Sequence, residues 1–342
     1  MTKVLITGAS GYIGKHITLQ LLNSGFEVLA SVRNLAKAEE VRSAVLPHLE
    51  ERFAANLQLD FIELDLEQDK GWDQALQGVD VLMHTASPFP IASPKNEMDL
   101  ISPAVNGTLR ALKAAHSAGI SRVILTSSVA AIYGTDLPEG MTAFDETVFT
   151  DVTHPVGKQA YTKSKALAEQ AAWDYVRSEA PEIQLTTINP VLVLGAPLDS
   201  NFGSSVSVIQ RIIKGKDPMF PDLSFSIVHV KDVARMHVEA IKLDTTRSQR
   251  FIASAGAMTF IEIARCLESA FPERKFLKPQ APTFILRLLA LFDGEIKAVL
   301  PLVGDRTPVS SRKAEAMFNL KFISAEETIV ETAQFLLSQK SM

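Results

Sequence analysis

The apolar run Val4-Leu5-Ile6 passes directly into Thr7-Gly8-Ala9-Ser10-Gly11-Tyr12-Ile13-Gly14, and no other stretch constrains the chain as much. Glycine recurs at every third position, then Ile13, Ile17, Leu21 and Leu22 keep a helical period until Gly25 stops it. The pattern predicts strand, tight turn and helix. Gly8 permits the turn, Gly11 carries no Cβ to block a phosphate, and Gly14 lets the helix pack close to the strand. The unpaired N–H groups of the first helical turn, from Ser10 to Gly14, then face an anion. A dinucleotide pyrophosphate is the expected ligand of such a turn.

Downstream, β-like runs alternate with amphipathic stretches, which predicts an α/β fold with a parallel sheet and crossover helices. Strands are expected near Lys3 to Thr7, Glu27 to Val32, Leu57 to Leu64, Val79 to Thr85, Arg122 to Ser127 and Gln184 to Asn189. After Pro190 the alternation loosens, with one more strand at Phe225 to Val230 and a helix near Lys231 to Val238 that returns to the sheet. The expected division is a nucleotide domain over 1–190 plus about 226–255, and a smaller, mostly helical substrate domain over about 191–225 and 256–342. With 342 residues, 46% of them hydrophobic, and a net charge of −5, the chain can bury a large core and shows no polybasic block for nucleic acid or a membrane surface. The apolar segment Pro282 to Val303 is interrupted by Arg287, Asp293, Glu295 and Lys297 and reads as soluble helix. Cys266, the single cysteine, is expected as a buried structural thiol, and no residues cluster at metal-ligand spacing. Met1-Thr2-Lys3 runs straight into the first strand, so the expected location is the cytoplasm.

The second strand decides the cofactor. An NAD-preferring fold places a carboxylate at its end to bind the ribose hydroxyls. Here Val32 is followed by Arg33, and Lys37 lies one helical turn later. Two cations without a carboxylate suit a 2′-phosphate, which predicts NADP(H). Asp65 and Leu66 at the end of the third strand are expected near the adenine, and Thr85, Ala86 and Ser87 after the fourth let the backbone approach the cofactor. His84, in an apolar strand, reads as a packed histidine.

Tyr161 and Lys165 stand four residues apart on one face of a helix. A neighbouring ammonium and a cationic nicotinamide both favour phenolate, which is how a phenol is tuned for proton transfer. Thr126-Ser127-Ser128, beyond the fifth strand, supplies a hydroxyl that can hydrogen-bond a carbonyl oxygen as its negative charge builds.

Taken together, Gly8 to Gly14, Asp65-Leu66, Thr85-Ala86-Ser87-Pro88, Asn106-Gly107-Thr108, Thr126-Ser127-Ser128, Tyr161-x-x-x-Lys165 and Asn189-Pro190 resemble the extended short-chain dehydrogenase/reductases. Ser31-Val32-Arg33-Asn34, Phe144-Asp145-Glu146-Thr147 and Ala168-Glu169-Gln170-Ala171-Ala172-Trp173 look like the dihydroflavonol reductase, cinnamoyl-CoA reductase and yeast-type carbonyl reductase group. The resemblance implies a Rossmann doubly wound sheet and NADPH-dependent reduction of a ketone or aldehyde. It implies Ser128 as the catalytic serine, Lys165 on the nicotinamide ribose, Asn106 in the proton relay, and Pro190 to Val193 beside the nicotinamide. Tyr133 stands where the plant flavonoid enzymes carry a substrate-contacting asparagine, so Phe89 and Tyr133 are the expected substrate contacts, and a fairly hydrophobic small-molecule carbonyl is expected in place of a flavonoid. The pocket walls are expected from Gly134 to Gln159, Pro190 to Phe225 and Pro282 to Leu302. Helices near Asp99 to Ala118 and Gln159 to Arg177 are the pair such relatives use when they form homodimers, although monomers also occur. Two rival readings are an NAD-dependent nucleotide-sugar epimerase or dehydratase and a non-catalytic NADP-binding sensor. The missing carboxylate at Val32-Arg33 opposes the first, and the intact Tyr161–Lys165 pair opposes the second.

Overall fold

Val4 and Ile6 point into one buried apolar cluster, whereas Leu5 between them points into another. The same split separates Met83 from Leu82, Ile124 from Val123 and Leu125, and Ile188 from Leu185. Strands covered on both faces belong to the centre of a parallel sheet with helices on either side. The computed structural model, which describes residues 1–55, 57–87, 96–306 and 308–339, shows this arrangement.

Its strands are β1 (Lys3–Thr7), β2 (Glu27–Val32), β3 (Leu59–Glu63), β4 (Val81–His84), β5 (Arg122–Thr126), β6 (Gln184–Pro190), β7 (Leu192–Leu194), β8 (Ser224–His229), β9 (Gln249–Ala253) and β10 (Gly256–Thr259). Among the described residues, seven form a parallel sheet in the order β3-β2-β1-β4-β5-β6-β9. Helices Tyr12–Leu22 and Val230–Lys242 cover one face through Ile17, Leu21, Val233 and Met236. Helices Met98–Ser117 and Ala160–Ser178 pack together over the other, burying Ala111, Leu112, Ala115, Ala172 and Val176. This is the expected Rossmann fold. The strand order reverses between β1 and β4, so a crevice opens at their carboxyl ends.

Three strands lie outside the sequence expectation. β9 completes the large sheet at its edge, while β7, β8 and β10 form a separate small sheet in the order β10-β8-β7. The chain after Pro190 thus adds a small sheet to its helices. The strand expected near Phe225 to Val230 joins this small sheet, while helix Val230–Lys242 does return to the large one. The periodicity failed for local reasons: β7 follows β6 after a single residue, β10 is a four-residue strand, and β9 begins Gln249-Arg250 behind the polar Arg247-Ser248. Cys266 is half-buried, not fully buried, with its thiol 3.8 Å from the Glu326 carbonyl. Helices Thr283–Leu289 and Gly294–Val299 divide the apolar C-terminal segment, and no helix among the described residues is long and apolar enough to cross a membrane.

Candidate active site

The glycine turn is built by contact. Gly8 adopts φ +72°, and a Cβ there would stand 2.8 Å from both the nitrogen and the Cα of Ala86, so the loops after β1 and β4 touch at this point. A Cβ on Gly14 would fall 2.2 Å from the Gly8 carbonyl oxygen, which makes Gly14 the residue that seats the helix against the turn. Gly11 is exposed as the N-cap of helix Tyr12–Leu22 and has no side-chain cap, leaving the first-turn N–H groups open at the crevice. The donor set and the absent Cβ atoms fit a pyrophosphate. Gly14→Ala is expected to cost about 1–3 kcal/mol through overpacking. A thermal melt unchanged from wild type would contradict this packing.

Thr7 fastens the crevice and was not singled out by sequence. Its hydroxyl accepts the N–H groups of Thr85 and Ala86, each at 3.1 Å, and meets His84 Nδ1 at 2.9 Å. Thr85 Oγ1 donates in turn to the Thr7 carbonyl at 2.5 Å. A hydroxyl that accepts twice has its proton free for Nδ1, which fits a neutral His84. Burial, with Lys165 nearby, holds that imidazole at about 4. His84 is packed, as expected.

The remaining nucleotide candidates are distributed around this crevice. Arg33 and Lys37 are exposed just beyond β2. Among the described residues Arg33 has no ion pair or hydrogen bond, whereas Lys37 Nζ lies 2.6 Å from Glu40, which raises its pKa. Asp65 caps its own turn by accepting the Glu67 N–H at 3.0 Å, and Leu66 packs where a Cβ on Gly107 would meet it at 3.1 Å. Ser10 and Ile13 are half-buried on the turn. Tyr12 sends its side chain away, donating its hydroxyl to the Gly195 carbonyl at 2.9 Å, so that only its backbone is left for a phosphate. Val193 is packed in the core, and its neighbours Pro190, Val191 and Leu192 reach the cavity instead.

At the other end of the crevice the expected trio comes together. Helix Ala160–Ser178 presents Tyr161 and Lys165, and Ser128 follows β5. The Tyr161 hydroxyl is hydrogen-bonded to Ser128, whose Oγ also accepts the Ala130 N–H at 3.2 Å. Lys165 Nζ donates to Ser87 Oγ at 2.8 Å and lies 5.8 Å from the centroid of the Tyr161 ring. Burial enters the electrostatics beside the charges that the sequence named. Burial pushes the Tyr161 phenol up, the Ser128 hydrogen bond offsets this only in part, and burial brings Lys165 down to about 8. Desolvation is the leading cause for both groups. A phenol so buried stays protonated at neutral pH.

Asn106 is exposed on helix Met98–Ser117, and among the described residues no hydrogen bond joins it to Ser128, Tyr161 or Lys165. Phe89 lies outside the described residues. Tyr133 lies on the cavity wall, its hydroxyl bonded to Thr162, and burial followed by the charge of Asp305 raises its pKa.

Above Tyr161 and Ser128 opens a cavity of about 400 Å³. Its walls include Phe144, Val191, Leu192, Phe225, Val299 and Leu302, drawn from the three segments that the sequence indicated. Asp305 and Arg306 also line it and were missed, as was Ala257 from the unexpected β10. Behind Ser128 lies a second feature absent from the sequence reading, a buried Glu169–Arg250 ion pair at 2.6 Å. Glu169 stands four residues after Lys165, which was a usable signal; Arg250 lies on the unexpected β9.

This geometry agrees with what the chain is similar to. Residues 4–252 match the model of the NAD dependent epimerase/dehydratase family. The cinnamoyl-CoA reductase CAD2 of Medicago truncatula is 32% identical over 340 residues, covering 98% of this chain and 96% of the relative. A putative NADPH-dependent methylglyoxal reductase, GRP2, of Candida albicans is 33% identical over 294 residues, covering 80% of this chain and 84% of that protein. The crystal structure of the yeast methylglyoxal/isovaleraldehyde reductase Gre2 complexed with NADPH superposes with a TM-score of 0.79 at 26% identity, covering 98% of both chains. The chain thus belongs to the NAD-dependent epimerase/dehydratase family, within the extended short-chain dehydrogenase/reductases and their cinnamoyl-CoA reductase-like group.

Proposed function

We propose that this protein is an NADPH-dependent reductase that converts an apolar ketone or aldehyde to the alcohol. The observation that carries the reading is the Tyr161–Ser128 hydrogen bond at the floor of the apolar cavity, with Lys165 beside it. The cofactor's pyrophosphate would rest on the turn from Gly8 to Gly14, its 2′-phosphate near Arg33 and Lys37, its adenine near Asp65 and Leu66, and its nicotinamide ribose near Ser87, Tyr161 and Lys165. When bound there, NADPH supplies the hydride. Ser128 donates a hydrogen bond to the substrate carbonyl oxygen, and Tyr161 passes its proton to that same oxygen as negative charge gathers on it. Lys165, charged at neutral pH, compensates the phenolate that remains. Tyr133 offers a second hydroxyl on the wall, and Asn106 is the proposed entry of the proton that restores Tyr161. We further propose that residues 1–190 with about 226–255 serve the cofactor and the rest the substrate, and that the protein works in the cytoplasm.

The low Lys165 value sets a pH dependence. Its ammonium is present below about 8 and is lost as the pH rises through that value. Since kcat/KM reports groups of the free enzyme, kcat/KM for NADPH is expected to fall above that pH, and the limb is expected to vanish in Lys165→Met. A profile flat to well above 9, roughly one unit beyond the lysine value, would contradict the assignment. A screen for NADPH oxidation across aldehydes, ketones, α-diketones and sugar nucleotides is expected to show turnover with apolar aldehydes and ketones. Activity confined to sugar nucleotides would overturn the substrate class.

A further inference from the structure

The buried carboxylate of Glu169 has an unusual set of partners for a residue that touches neither cavity nor crevice. It is 1% exposed on the face of helix Ala160–Ser178 that carries Lys165 one turn earlier. Its Oε2 accepts the hydroxyl of Ser127 and, at 2.6 Å, the Asn189 amide; its Oε1 accepts Arg250 Nε at 2.6 Å and the Trp173 indole at 3.3 Å. The same Asn189 amide donates to the carbonyl of Ser128 at 3.1 Å. Arg250 then reaches forward, donating to the carbonyls of Glu146 and Val148 at 2.7 and 2.8 Å and, more distantly, to that of Ala131 at 3.5 Å.

One carboxylate thus governs three anchors of a short loop: the side chain of Ser127, the carbonyl of Ser128 through Asn189, and the carbonyl of Ala131 through Arg250. Stability alone is a poor account of it, since desolvating a carboxylate and a guanidinium costs about as much as their pairing returns, and apolar replacements of such pairs are often neutral or better. What the pair does uniquely is fix direction. Ser128 must aim its hydroxyl at one oxygen, and a displacement of about 1 Å at a reacting group can cost roughly a hundredfold in rate.

We infer that Glu169 is a positioning residue for Ser128, acting through Ser127, Asn189 and Arg250 to hold the serine hydroxyl where the carbonyl oxygen develops its charge. This rests on the reductase reading above. The test is a double-mutant cycle of Glu169→Gln with Ser128→Ala, followed by kcat on a reduced substrate and by fluorescence titration of NADPH. Glu169→Gln is expected to lower kcat roughly 10- to 30-fold, a fraction of what losing an oxyanion donor costs, with the NADPH dissociation constant within about twofold of wild type. In the Ser128→Ala background the same change is expected to cost nothing further, because the group it positions is gone. Equal losses in both backgrounds would show a general structural role and overturn the inference, as would wild-type kcat in folded Glu169→Gln. If Glu169→Gln does not fold, Ser127→Ala replaces it in the cycle, with a several-fold loss expected only where Ser128 is present. Full activity in Ser128→Ala itself would instead overturn the reductase mechanism, which keeps the two failures distinct.

Discussion

Tyr161→Phe is expected to lower kcat for carbonyl reduction about 10²- to 10⁴-fold, the range that positioned general acids contribute. NADPH binding and the melting temperature are expected to stay near wild type. The substitution removes one oxygen and leaves the ring against Lys165, so packing survives. The loss should therefore appear in kcat, as it does when an interaction made only in the transition state is removed. Burial holds the Tyr161 phenol above its ordinary value, so the group that Tyr161→Phe deletes is the protonated phenol. A Tyr161→Phe protein that reduces aldehydes and ketones at the wild-type rate would contradict the mechanism, whatever the fate of the serine.

Reversing the charge at Arg33 is the second large expected effect. Arg33→Glu should raise KM for NADPH roughly a hundredfold while changing KM for NADH only about two- to threefold, since one or two charge-assisted hydrogen bonds worth about 1.5–3 kcal/mol each give way to repulsion. The two cations are not equivalent. Lys37 is already engaged by Glu40 at 2.6 Å, and Glu40 is in turn held by Lys15 at 3.0 Å and by Asn201 at 2.8 Å. Arg33 is exposed, with no such partner among the described residues. Lys37→Ala should accordingly have the smaller effect on the ratio of NADPH to NADH efficiency. Equal changes for both cofactors in Arg33→Glu would remove the 2′-phosphate from this position.

Much of this site was legible because its chemistry is local in sequence. The turn at Gly8, Gly11 and Gly14, the cations after β2, and Tyr161 with Lys165 each lie within one or two turns of chain, and strand alternation placed them at carboxyl ends of a single sheet. What escaped depends on distant partners. Thr7 reads as an ordinary strand terminus until His84 and Thr85 are brought beside it. Glu169 shares a helix face with Lys165, but its partner Arg250, 81 residues away on a strand of mixed polarity, meets it only when that strand enters the large sheet. Tyr12 keeps its backbone in the glycine turn while its phenol ring is buried toward Gly195 and His16, a direction that no local pattern signals. Sequence supplies the charges near the Tyr161 phenol and says nothing of how deeply the fold withdraws it from water.

Net hydride transfer to a carbonyl carbon leaves an isotopic record in the product. Wild-type protein is supplied with NADPH deuterated at the transferable position of the nicotinamide ring together with an apolar aldehyde or ketone, and the product is examined by mass spectrometry. Net hydride transfer places one deuterium on the carbinol carbon of the alcohol for each NADPH oxidised, with the yield collapsing in Tyr161→Phe. Tightly bound NAD that co-purifies, no net NADPH consumption, and isomerised sugar nucleotide as the only product would contradict it.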